Sequence, residues 1–254
     1  MMTVMEAEAG RLPAFATDYW TQSRRPLASL LFVLPLLLFY ELGMLWLGPE
    51  ATRNGADVWM QQVLRWIGFG GHLLLPILTI GILLGWHHMT AQPWRVARPV
   101  FYTMAAEVVL LALLLVAIAH LHASLLSIAG GPVECAWMDT GLGRDYLSRL
   151  LRFFGAGIYE EMLFRLMLVP LTVALVGLAI ASRHARLAAA LVVTSLIFSA
   201  AHYVGPCGET YNTYTFAFRI LAGGFFAFLF LVRGFGIAAG THACYDVLVG
   251  FPAP

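Results

Sequence analysis

Two adjacent carboxylates and an arginine share one apolar stretch of the 254-residue chain, Ile158-Tyr159-Glu160-Glu161-Met162-Leu163-Phe164-Arg165. Two histidines follow in similar surroundings, in Phe198-Ser199-Ala200-Ala201-His202 and in His242-Ala243-Cys244-Tyr245-Asp246. Carboxylate and imidazole are the groups that exchange protons near neutral pH. An ionisable residue in a membrane helix costs on the order of 2.5 to 3.5 kcal/mol on insertion scales, so it turns to the bundle interior and marks function by default. The chemistry within reach is activation of a water molecule for hydrolysis, or a proton relay.

Spacing assigns different parts to these residues. Glu161 and Arg165 stand one helical turn apart with the acid first, the favourable order for an ion pair. Glu160 lies about 100° further round an α-helix, so one carboxylate is neutralised while the other stays available as a base. His242 and Asp246 share a face at i, i+4, and Phe198 is expected to stack one turn below His202. Cys244 points elsewhere and is a poor nucleophile candidate. The plain alternative is a buried ion network that only fixes packing. Glu41 and Glu107 invite that same reading, as packing or cavity-lining groups. Two histidines and two carboxylates, Glu160, His202, His242 and Asp246, also form a set that zinc takes; the chain lacks HExxH, and the reading favoured is metal-free, with no cofactor.

These residues must be positioned by membrane helices. The composition is 60% hydrophobic and only 11% charged, with a mean hydropathy of +0.79, whereas soluble domains carry roughly a quarter charged residues. The expected fold is all-α, a polytopic bundle of about seven (six to eight) spans of about 20 residues with the polar site inside it. The spans are placed at Pro26–Gly48, Ile67–Trp86, Pro99–Ala119, from near Ala156 onward, Leu187–Val204, Thr215–Val232 and Gly236–Phe251. A break at Gly155-Ala156-Gly157 is expected to separate an interfacial helix from the fourth span. Residues 1–25 read as a cytoplasmic segment and 26–254 as one transmembrane domain, its catalytic motifs at about 145–251.

All fifteen basic residues are arginine and none form a run, which argues against nucleic acid as a partner. Their distribution places Arg24, Arg25, Arg95, Arg98, Arg183, Arg186 and Arg233 in the cytoplasm, against Arg53, Arg65, Arg144 and Arg219 outside. The chain is therefore expected as a multi-pass protein of the cell membrane with its N-terminus inside. Cys135 and Cys207 fall in outer loops, where an oxidising compartment would let them pair.

The series EExxxR, FxxxH and HxxxD, in this order on successive apolar helices, resembles the CPBP family, also called the ABI or type II CAAX prenyl protease family. The resemblance covers Glu160 to Asp246. It implies an intramembrane endopeptidase that hydrolyses a peptide bond of a membrane-associated or hydrophobic substrate with a glutamate-activated water. Carried over, Glu160 is the base and His202 holds and helps deprotonate the water. His242 stabilises the oxyanion, and Asp246 orients His242 or takes part directly. Glu161, Arg165 and Phe198 support them. Asp246 stands where eukaryotic members have asparagine, and a carboxylate donates a hydrogen bond only when protonated. The implied partners are a peptide or membrane-protein substrate, lipid-modified in part of the family, and membrane lipids. Two other functions fit the same buried groups: a proton-coupled transporter, and a catalytically silent scaffold or immunity-type protein of the same fold.

Overall fold

The computed structural model describes residues 14–48, 51, 53–71, 73–128, 144–205 and 208–251, and these are helical with short connections, with no strand among them. In chain order the helices are α1 (Ala14–Ser23), α2 (Pro26–Leu47), α3 (Gly55–Trp66), α4 (Leu74–Met89), α5 (Arg98–Ile128) and α6 (Arg144–Gly155). Two π-helical segments follow, Ala156–Glu160 and Met162–Leu168, then α7 (Val169–Val176), α8 (Arg183–Ala201), α9 (Thr213–Arg233) and α10 (Phe235–Gly250). Among the described residues, four helices are long and apolar enough to cross a membrane: Pro26–Leu47, Arg98–Leu125, Arg183–Ala201 and Thr213–Arg233. With the shorter apolar helices α4 and α10 and the run 156–176 they make a helical membrane bundle. Cys135 and Cys207 lie outside the described residues.

Several elements depart from the sequence reading. The second span starts at Leu74 instead of Ile67, because Gly68 and Gly71 adopt positive φ, a conformation open to glycine and closed to a continuing helix. No break occurs at Gly155-Ala156-Gly157: the backbone stays helical from 144 to 176. Glu160 thus stands about halfway along an unbroken rod, not a turn inside a new span. The glycines serve close approach instead. A Cβ on Gly155 would meet the Tyr40 ring at 2.5 Å, and one on Gly157 would meet the Ala243 Cβ at 2.6 Å and the Ala239 carbonyl at 2.7 Å. Two helices also went unforeseen, α1 and α3, since hydropathy does not register short polar or amphipathic segments.

The innermost element is α10, buried from Phe235 through Ala243 and packed against α2, α5, α6, α9 and the first π segment. Its run of Gly, Ala and Thr lets neighbouring backbones come close, the usual device where lipid is as apolar as the core. Gly234 alone joins α9 to α10, at φ 87°.

Glu41 and Glu107 each belong to a polar network away from the histidines. Glu41 accepts a short hydrogen bond from the Tyr159 hydroxyl and lies 3.7 Å from Arg53. Arg53 in turn binds Asp57 at 2.8 Å, which also accepts from Tyr40 at 2.7 Å and Gln61 at 2.6 Å. Glu107 takes Arg233 at 2.7 Å and the Tyr19 hydroxyl, fastening α1 to α5 and α9. Burial foremost, and then that carboxylate, push the Tyr19 phenol well above its ordinary range.

Candidate active site

The deepest layer is an ion pair with a histidine attached. Arg165, 1% exposed, stands 2.9 Å from Glu161 Oε1, which is fully buried. The same oxygen takes His242 Nδ1 at 2.8 Å. Aromatic faces wall in the guanidinium, whose Cζ lies 4.3 Å from the centre of the Phe198 ring and 5.5 Å from that of Phe226. Phe226 also stacks on the His242 imidazole at 4.4 Å and 13°. Because Glu161 can only accept, Nδ1 carries a proton, so the carboxylate fixes the tautomer and orientation of the ring.

Glu160 faces the other way, as the offset between neighbouring residues requires. Its Oε1 accepts from Asn54 Nδ2 at 2.9 Å. Its Oε2 lies 3.8 Å from His242 Nε2 and 4.0 Å from His202 Nε2, buried and without a hydrogen-bond partner. These gaps exceed a direct hydrogen bond and suit an oxygen atom held between the groups. His202 closes α8 with Nδ1 at 2.8 Å from the Phe198 carbonyl. A carbonyl accepts, so His202 Nδ1 donates and its Nε2 is left as an acceptor pointing at Glu160 Oε2. Phe198 meets the His202 ring edge-on, at 74° and 4.9 Å, not stacked as expected; its face is given to Arg165. Asp246 Oδ2 lies 3.6 Å from His242 Nε2.

The π-helical turns matter here. Wider i→i+5 turns are rare and recur at functional sites, and the first of them ends at Glu160 and holds Gly157 in its close contact with α10. The seven site residues expected from the sequence share one region: Glu160, Phe198, His202, His242 and Asp246 border a cavity of about 340 Å³, and Glu161 and Arg165 lie behind it, bound to each other, with Glu161 also bound to His242. Arg149, Arg152 and Arg219 also line that cavity. A second cavity of about 250 Å³ opens on the opposite flank of Glu160 and His202, between Arg53, Val58, Trp59, Phe164 and Val204. Glu160 and His202 thus stand where two cavities meet.

Sequence reasoning missed Asn54 and Phe226. Asn54 carries a helix N-cap signature before Gly55-Ala56-Asp57, but nothing local ties it to a residue 106 positions away. Phe226 is one of seventeen phenylalanines, with no spacing to set it apart. As for a metal, among the described residues no group of three or more His, Cys, Asp or Glu converges closely enough to hold an ion.

Residues 143–248 match the family described as Type II CAAX prenyl endopeptidase Rce1-like. That match supports a likeness of the stretch to the CPBP, CAAX prenyl protease-like family. The matched region begins just before α6 and ends inside α10, so it contains Glu160, Glu161, Arg165, Phe198, His202, His242 and Asp246. Asn54 and all of α1 to α5 lie outside it. No curated protein and no solved structure matches the chain.

Proposed function

We propose that this CPBP-type chain is an intramembrane endopeptidase that hydrolyses a peptide bond with a water molecule activated by Glu160. One observation carries the reading: Glu160 Oε2, buried, with the Nε2 atoms of His202 and His242 at 4.0 and 3.8 Å. A water between Glu160 Oε2 and His202 Nε2 meets two acceptors, donates a hydrogen bond to each, and turns a lone pair toward the cavity. As the oxygen attacks the substrate carbonyl, Glu160 takes its proton and later passes it to the leaving amine. No covalent intermediate forms. The oxyanion develops on the His242 side, where Nε2 donates to it when both ring nitrogens are protonated, with Glu161 bound to Nδ1 and Asp246 at 3.6 Å.

The substrate is a peptide at the bilayer, lipid-modified by analogy with the family's description, lying across the two cavities that meet at Glu160. The end of the bundle that carries Arg24, Arg25, Arg95, Arg98, Arg183, Arg186 and Arg233 faces the cytoplasm with the N-terminus. The test uses purified full-length protein in detergent, an internally quenched farnesylated CAAX peptide and its unmodified counterpart, each with and without chelator. Cleavage of the farnesylated peptide that persists in chelator is expected. Loss of cleavage under chelator, restored by zinc, would replace the glutamate-only mechanism with a metal one. Proton or ion flux in liposomes without cleavage of either peptide would replace the peptidase reading altogether.

A further inference from the structure

Asn54 sits in the turn before α3 and uses both ends of one amide. Its Oδ1 accepts the Ala56 N–H at 2.9 Å, capping α3, and its Nδ2 donates to Glu160 Oε1 at 2.9 Å. Engaging Oδ1 on the backbone fixes which way the amide faces, so its N–H group is held toward Glu160. The end of a glutamate side chain otherwise turns easily, because that torsion has a broad, roughly two-fold profile. With Oε1 held, only Oε2 faces His202 and His242.

We infer that Asn54 is a positioning residue for Glu160, holding Oε1 so that Oε2 alone serves as the proton acceptor. The inference deepens the reading of Glu160 as the base and rests on it. It also gives α3 a function: Gly55, Ala56, Val58 and Trp59 border the second cavity, so the helix beside the substrate path is the one whose cap aims the base. The segment lies outside the matched family region.

Serine and aspartate both cap helices, which separates the two duties of the amide. Serine is too short to reach Glu160, and an ionised aspartate has no proton to give. The experiment measures kcat, KM and thermal midpoint for the wild type, Asn54→Ser, Asn54→Asp and Glu160→Gln with the quenched farnesylated peptide in detergent. Asn54→Ser and Asn54→Asp are expected to lower kcat about ten- to a hundredfold, the loss of one hydrogen bond to a charged group. KM should stay within about twofold and the midpoint should fall by only a few degrees, leaving the protein folded at the assay temperature. Wild-type kcat in both variants beside an inactive Glu160→Gln would overturn the role of Asn54 and leave the base standing. A fall in activity that follows the midpoint or is carried by KM would also overturn it. An active Glu160→Gln would instead remove the base on which the inference rests.

Discussion

At the scale of single residues, two neighbouring glutamates do different things because a helix turns them to different surroundings. Glu161 is committed: Arg165 and His242 both meet its Oε1. Removing one partner leaves a buried charge alone, which costs about 3–5 kcal/mol, whereas replacing a whole buried pair with apolar residues is often neutral. Arg165→Leu should therefore lower stability in detergent by about that amount, and Glu161→Leu with Arg165→Leu by clearly less. Thermal unfolding of the single and double variants checks this; equal losses in both would show that the pair is not the unit. Phe226 belongs here too. Phe226→Ala removes the ring stacked on His242 and should cost about 3–5 kcal/mol as a core truncation, with a further loss of kcat as the imidazole gains room.

At the scale of elements, the site depends on how closely the first π segment approaches α10. Gly157→Ala would drive a methyl group into Ala243 and the Ala239 carbonyl. Overpacking of this kind costs about 1–3 kcal/mol and should pull Glu161 off His242, lowering activity. Gly81→Ala in α4 meets nothing within 4 Å and should leave activity and stability near the wild type. If the two variants behave alike in paired activity and unfolding measurements, the contact is not what sets the site.

The same elements show what could be read in the sequence. Long apolar runs gave away α2, α5, α8 and α9, since about 20 apolar residues in a row have few other uses. Spacing exposed the Glu161–Arg165 pair, a local i, i+4 relation. The π turns, the Glu161–His242 bond and the Asn54–Glu160 bond were not readable, because each arises from packing between segments far apart in the chain. The glycines at 155 and 157 look like helix breakers until their neighbours are known.

At the scale of the whole molecule, seven of the fifteen arginines gather at one end. Arg24 and Gly234 border a common cavity with Trp86, Gln22 accepts from the Ala97 N–H, and Ser199 bonds the Phe216 carbonyl, so α8 and α9 run antiparallel. Arg24, Arg25, Arg95, Arg98, Arg183, Arg186 and Arg233 therefore lie at the end opposite His202. The proposed cytoplasmic N-terminus would put exposed Thr210 outside and exposed Thr90 inside. In a background with the three cysteines replaced by serine, Thr210→Cys should react with a membrane-impermeant maleimide on intact cells, and Thr90→Cys only after permeabilisation. The reverse pattern would invert the orientation. The central claim is that one carboxylate, Glu160, drives hydrolysis inside this bundle. It is tested most directly by single-turnover cleavage of the farnesylated peptide by chelator-treated protein, wild type against Glu160→Gln. The glutamine variant keeps shape and loses the base; its rate should fall at least about a hundredfold, the lower end of a general base's contribution, with peptide binding retained. Cleavage at the wild-type rate would contradict the account.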